Sequence, residues 1–286
     1  MRIAIDTMGG DFGPRATLRG TASALLRDSQ LSAILVGPQH LLDAELDSLP
    51  ASLSRVRDRL QTLAVDGIVA SDARPSRVLR SREPSSMSQA LGLVANGQAD
   101  ACVSAGNTGA LMALGMREVG RVKGVERPAI CAAVPTRGAR ACSLLDLGAN
   151  VDVAPHHLLA FARMGAMRSR LIDAVERPRV GLLNVGVESV KGTAQVQEAH
   201  ALLAGSESDF DYLGFVEGGD LFSGKVDVVV CDGFVGNVVL KSSEGLAQML
   251  SAQLGATLAA SWRTRLMAWL ARPALTRLSR ELDPVR

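Results

Sequence analysis

Residues 226–237 read VDVVVCDGFVGN. A solidly apolar run stops abruptly at an aspartate and a glycine, and a second glycine and an asparagine follow within four residues. Four other runs end the same way: RIAID before TMGGD (2–11), ADACV before SAGNTG (99–109), ACSLLD before LGANVD (141–152) and RVGLLN before VGVES (179–189). Runs this apolar suit strands covered on both faces. After the turn a helical pattern usually begins, as in ALMALGMREV after SAGNTG. Strand, polar glycine turn and helix in repetition predict an α/β chain with a mostly parallel sheet, arranged as three α/β/α layers.

In an open parallel sheet, ligands bind at the carboxyl ends of the strands. The residues expected there are Asp6, Asp11, Ser104, Asn107, Thr108, Asp146, Asn150, Asp152, Asn184, Glu188, Asp232 and Asn237. Gly9, Gly10, Gly106, Gly109, Gly233 and Gly236 lie among them and let backbone N–H groups approach a ligand. Helices starting at that edge present a positive dipole end, which favours an anion. Each polar residue alone has a plainer reading as a helix cap or turn former. Five such loops on one edge predict a shared site.

The remaining composition narrows the class. A chain of 286 residues with 47% hydrophobic and 21% charged residues buries a real core. We read it as one domain over 1–286, from which an amphipathic helical segment, 245–282, protrudes. A net charge of +2 and only 3% aromatics argue against nucleic acid as a partner. Cys102, Cys131, Cys142 and Cys231 form no CxxC pair, so neither a metal site nor a disulfide framework is expected. The N-terminus lacks a signal-peptide pattern, and no apolar run reaches membrane-spanning length, which predicts a cytoplasmic protein.

GGDLFSGK (218–225) has GxxxxGK spacing, but Val226 stands where a P-loop needs Ser or Thr, and a strand-like run follows. No GxG spacing occurs, so the dinucleotide fingerprint is missing. His40, His156, His157 and His200 all lie outside the glycine loops, which disfavours histidine base catalysis. Cys231 adjoins Asp232 but reads as an inert strand cysteine. Lysine is scarce, so Lys191 after NVGVESVKG and Lys241 one turn beyond GFVGN stand out as point charges for a phosphate, with solvated surface lysines as the alternative.

Segment 246–280 holds five arginines (263, 265, 272, 277 and 280), no acidic residue and both tryptophans. Leu254, Leu258, Trp262, Leu266 and Trp269 share its apolar pattern, and Pro273 is expected to interrupt the helical pair. Such a segment suits an anionic membrane surface, or packing on its own domain or a second subunit.

The strings DTMGGDFGP, SAGNTGALMA, DLGANVD, LLNVGVESVKG, GFVEGGD and VVVCDGFVGNVVLKSSEGLA closely resemble the PlsX phosphate acyltransferases of bacterial phospholipid synthesis, in the family's order over nearly the whole chain. The resemblance implies a fold like those of phosphotransacetylases and isopropylmalate-type dehydrogenases, and a homodimer. It implies conversion of long-chain acyl-acyl carrier protein and phosphate to acyl-phosphate, which feeds a membrane glycerol-3-phosphate acyltransferase. The enzyme would be cytoplasmic and peripherally bound to the inner face of the membrane, with no cofactor or metal. Thr7 and Thr193 depart from the family pattern, and the family's glycine-rich C-terminal stretch, with a further strand and helix, is expected beyond Arg286 and missing here.

For this reaction we expect phosphate on the amides of 106–109 and 233–236, helped by Lys191 or Lys241. Asn107 and Asn237 would hold the thioester oxygen, and Asp6 and Asp232 would orient these groups. The carrier protein would dock on Arg74, Arg77, Arg80 and Arg82. The alternatives are a phosphotransacetylase-like enzyme acting on a short acyl-CoA and a non-catalytic membrane-associated scaffold.

Overall fold

The computed structural model describes residues 1–282; the side chains of Leu275 and of residues 277–282 lie outside that description. Arg277 and Arg280 therefore lie outside the described side chains. The chain divides into two compact units, Met1–Gly124 and Val125–Arg286.

The first unit runs β1 (Arg2–Asp6), α1 (Gly13–Arg27), β2 (Ser32–Gly37), α2 (Gln39–Asp47), α3 (Ala51–Ser54), β3 (Leu60–Ala64), α4 (Pro75–Arg80), α5 (Ser86–Ala95), β4 (Ala101–Ser104) and α6 (Thr108–Glu118). Its four strands pair in parallel in the order β3-β2-β1-β4. Successive strand residues point to opposite faces. Ile5, Ala33 and Leu35 thus pack against Leu18, Leu25 and Leu42 of α1 and α2. Ala4, Ile34 and Val36 pack with Ala90 of α5 on the other side. The inner strands β1 and β2 are covered on both faces, which is why they read as apolar runs. The register sets Asp6 level with Val36 and Ser104 at the carboxyl edge.

The second unit runs β5 (Cys131–Val134), β6 (Cys142–Leu145), α7 (Pro155–Ile172), β7 (Arg179–Leu183), α8 (Ala194–Ala204), β8 (Asp211–Val216), β9 (Val228–Val230), α9 (Gly233–Ala259) and α10 (Trp262–Leu282). Its sheet has the order β5-β6-β9-β7-β8, antiparallel only between β5 and β6. Leu145, Val180, Leu182, Val228 and Val230 form a core with Leu158 and Phe161 of α7 and Leu203 of α8. Leu144, Leu183, Val229 and Cys231 face the other way, toward Leu221 and the half-buried Val239 and Leu240 of α9. α7 lies close on the sheet because Gly165 has no side chain; a Cβ there would meet Val228 at 2.5 Å.

Two expectations change. The five strand ends do not share one sheet edge: β1 and β4 belong to the first sheet, and β6, β7 and β9 to the second. The short strand β5 pairs antiparallel with β6 at one edge of the second sheet. The helical pair breaks at 260–261, and α10 runs on through Pro273. The break is set by Ser261 and Thr264, whose hydroxyls each accept the other's backbone N–H (3.2 and 3.1 Å), a reciprocal cap that starts a new helix. The run VDVVVC after GGDLFSGK contributes β9, with a 3-10 turn at Gly218–Phe222 before it, so no P-loop helix follows Lys225.

Candidate functional site

In the first unit, Asp6 ends β1 with its carboxylate buried. It accepts hydrogen bonds from the hydroxyls of Ser86, at the start of α5, and Ser104, at the end of β4, both at 2.6 Å. The Ser104 hydroxyl in turn accepts the Gly106 N–H at 3.1 Å. The loops after β1 and β4 touch backbone to backbone, since a Cβ on Gly9 would sit 2.6 Å from the Gly106 nitrogen. Gly10 has φ +87°, a left-handed conformation that favours glycine. Asn107 caps α6 by accepting the Ala110 N–H at 2.9 Å, and its amide nitrogen donates to the carbonyls of Ser71 (2.8 Å) and Ala73 (3.1 Å). Asp11 and Thr108 are exposed.

In the second unit the deciding residue is Asp146, fully buried just after β6. Its carboxylate accepts backbone N–H bonds from Ile130 (2.9 Å), Leu147 (2.7 Å), Ala149 (3.2 Å) and Asn150 (2.6 Å), and one from the Asn150 side chain (2.9 Å). Asn150 also donates to the Pro128 carbonyl at 2.7 Å, and its own carbonyl accepts the Gly233 N–H at 2.8 Å. The start of α9 is thereby docked on the loop after β6. A Cβ on Gly236 would collide with the Asp146 carbonyl, and one on Gly233 would lie 2.8 Å from that of Asn150. Asp232 caps α9, accepting the Val235 N–H at 2.9 Å. Asn237 is exposed one turn into the helix, beside Gly148. Asp152 is exposed on the loop after β6.

The loop after β7 folds on itself. Asn184 donates to the Lys191 carbonyl at 3.0 Å, and Lys191 pairs with Glu188 at 2.8 Å across Gly186. That pairing lowers the Glu188 carboxyl and raises the Lys191 ammonium. Lys191 is therefore a standing cation at neutral pH. Lys241 pairs with Glu244 at 2.9 Å, further along α9.

Several expected donors are already occupied. The amides of Gly106, Gly233 and Gly236 donate to the Ser104 hydroxyl, the Asn150 carbonyl and the Asp232 carbonyl. These glycines serve by close packing, because their N–H groups hold the loops themselves. The first-turn amides left without a protein acceptor among the described residues are those of Thr108 and Gly109 on α6 and Phe234 on α9.

Sequence reasoning missed one residue, Ser86, and the role of another, Asp146. Asp146 was visible as a strand-end acid, but nothing in its own turn reveals the fifth donor, the Ile130 N–H sixteen residues away. Ser86 lies 80 residues from Asp6; the SSMS stretch signals only a helix start, where Ser85 and Ser88 cap α5 reciprocally. The two departures have plain local roles. The Thr7 hydroxyl is satisfied by the Val36 carbonyl at 2.8 Å, and Thr193 caps α8. Burial pushes the Cys231 thiol up, which keeps it from acting as a thiolate nucleophile.

Among the described residues one cluster carries metal-ligand chemistry: Glu126, His156 and His157, with ligand atoms within 4.8 Å of one another. His157 Nδ1 accepts the Ala154 N–H at 2.9 Å, which leaves the proton on Nε2, the atom 3.1 Å from Glu126. The ring thus presents a donor to Glu126 where a metal needs a lone pair. The three residues fit a hydrogen-bonded clamp at the start of α7 better than a metal centre.

The profile of the family described as "Fatty acid synthesis protein" matches residues 1–286. The chain belongs to this family. A protein named phosphate acyltransferase from Pseudomonas putida is 48% identical over 284 residues, covering 99% of this chain and 83% of the relative. One of the same name from Shewanella woodyi is 44% identical, covering 99% and 82%. The family membership agrees with the PlsX resemblance read from the motifs. Among solved structures, a phosphotransacetylase from Streptococcus pyogenes superposes with TM-score 0.63 at 17% identity, covering 87% of this chain and 82% of that one. The EutD phosphotransacetylase from Staphylococcus aureus gives 0.59 at 15% identity, with the same coverage. These likenesses show the α/β/α fold expected from the strand rhythm.

Proposed function

We propose that this chain transfers the acyl group of long-chain acyl-acyl carrier protein to inorganic phosphate, releasing acyl-phosphate and free carrier protein in phospholipid synthesis. The observation that carries this reading is the near full-length match to proteins named phosphate acyltransferase. The chemistry fits the site. Phosphate is already anionic near neutral pH, and a thiol of pKa about 8.5 is a good leaving group. A phosphate oxygen attacks the thioester carbon, the carbonyl oxygen becomes an oxyanion, and the C–S bond then breaks to release thiolate. Such a reaction needs placed donors more than a strong base.

The second unit supplies the groups suited to an anion: the Phe234 amide at the start of α9, Lys191, Lys241 and the exposed amide of Asn237. Asp232 and Asn150 hold that helix start in place. In the first unit the Thr108 and Gly109 amides are the corresponding donors, with Asp6 fixing the loop beneath them through Ser104. Offering the purified chain palmitoyl-acyl carrier protein and acetyl-CoA in parallel, each with phosphate, tests the reading. Acyl-phosphate is expected from the first; product from acetyl-CoA alone would favour a phosphotransacetylase.

The C-terminal helices support a proposal for location. Among the described residues no helix is long and apolar enough to cross a membrane. Leu246, Met249, Leu250, Leu254, Trp262, Leu266, Trp269 and Leu270 are nevertheless exposed, with α10 against α9 and the Arg263 guanidinium 5.5 Å from the Trp262 ring centroid. We assign this surface to an anionic bilayer near the acyltransferase that consumes the product, with a homodimer partner as the competing occupant. Arg74, Arg77, Arg80 and Arg82 are exposed and suit an acidic carrier protein.

A further inference from the structure

We propose that a cavity of about 490 Å³ within the first unit receives the phosphopantetheine arm of the thioester substrate. The inference rests on the acyl-carrier reading above and names a binding site for the part of that substrate which carries the sulfur.

The cavity is built on α6. At one end the Asn107 side chain donates to the carbonyls of Ser71 and Ala73. At the other, Arg117 donates through Nη1 to the carbonyls of Leu79 (3.1 Å) and Ser81 (2.7 Å). The segment between these anchors, which includes α4, is therefore pinned at both ends to one helix. Ten residues separate Asn107 from Arg117, about 15 Å along a helix axis. The segment that walls the cavity is thus held at both ends, with one anchor at the strand-end loop after β4. The cavity's volume lies in the range of small-ligand sites.

Its lining divides into two kinds. Ile68, Val69, Val78 and Leu114 supply apolar wall. Arg74 and Arg77 also line it, three residues apart at the start of α4, and among the described residues neither guanidinium has a hydrogen-bond or ion-pair partner. Neighbouring guanidinium groups match the oxygens of a phosphate. Asp72 and Glu83 share the lining with Arg74, Arg77 and Arg117, so the acids offset most of its positive charge and the cavity is no general anion trap. A ligand suited to it has a phosphate at one end and an extended, largely uncharged arm. Phosphopantetheine has that form, whether carried by a protein or by coenzyme A.

Calorimetric titration with 4′-phosphopantetheine and with unphosphorylated pantetheine tests the assignment, on the wild type and two variants. Ile68 is half exposed, so Ile68→Trp fills the cavity without entering the core. The double variant Arg74→Gln, Arg77→Gln removes the cationic pair from an exposed helix. The wild type is expected to bind phosphopantetheine at least tenfold more tightly than pantetheine. Ile68→Trp should weaken both at least tenfold, and the double variant should erase the preference. Full binding by Ile68→Trp, an intact preference in the double variant, or no binding by the wild type would each overturn the proposal. Tight binding by holo-carrier protein over its apo form would point to the carrier as the source; equal binding of both, with tight coenzyme A binding, would point to the coenzyme. If the wild type binds phosphopantetheine as expected but makes no acyl-phosphate, the functional reading fails and the cavity assignment stands.

Discussion

At the residue scale, Asp146 organises the second unit's loops and Asn237 is the group most open to a substrate. Replacing Asp146 with Ala leaves five donors without their acceptor, three of them in fully buried bonds. Hydrogen bonds to charged groups contribute about 1.5–3 kcal/mol each, so the loss should reach at least about 3 kcal/mol. Urea unfolding of Asp146→Ala measures it; a loss under about 1 kcal/mol would show that water takes over the acceptor role. Asn237→Ala should leave stability nearly unchanged and lower kcat more than tenfold, if its amide supplies an oxyanion donor worth roughly 2.7–4 kcal/mol. A folded variant with wild-type turnover would remove Asn237 from the site. Asn107 stands apart, because both ends of its amide are already bonded. The sequence made the two asparagines look equivalent, each at a glycine turn before a helix. What separates them is the position of the Ser71–Ala73 backbone, which no local pattern around Asn107 reveals.

Among the elements, the strands were the most legible part. Val228, Val229 and Val230 are buried on alternate faces, so a solid apolar run was the correct signal for a strand covered on both sides. The division of five strand ends between two sheets was not legible, because strand pairing is decided by contacts far apart in sequence. The break between α9 and α10 also escaped, since proline is the louder helix breaker. The reciprocal bonds of Ser261 and Thr264 stop the helix twelve residues earlier. These helices also carry the test of membrane association. Replacing Leu254 and Leu258 with Glu should abolish sedimentation with phosphatidylglycerol vesicles and leave turnover on soluble substrate largely intact. Dissociation of a dimer in the same variant, with sedimentation unchanged, would assign the apolar face to a second subunit.

At the scale of the whole molecule, acid stability should report the ion pair at the amino ends of β7 and β9. Burial of Asp227 favours its neutral form, but the side-chain and backbone bonds from Arg179 outweigh that and hold the carboxyl below the usual range. A depressed carboxyl stabilises the fold above its unfolded pKa of about 3.9, and that contribution is lost as pH falls through the folded value. Asp227→Asn should therefore lower Tm at pH 7 and flatten the fall in Tm below about pH 4. Parallel acid limbs for wild type and variant would contradict the pairing as the cause.

The central claim is that phosphate itself takes the acyl group. Its most direct test is 31P NMR of the purified chain with palmitoyl-acyl carrier protein and inorganic phosphate, with released carrier thiol counted in the same tube. An acyl-phosphate resonance growing one-for-one with free thiol is expected, with no thiol release when phosphate is left out. Thiol release that persists without phosphate, or that yields free fatty acid and no acyl-phosphate signal, would contradict it.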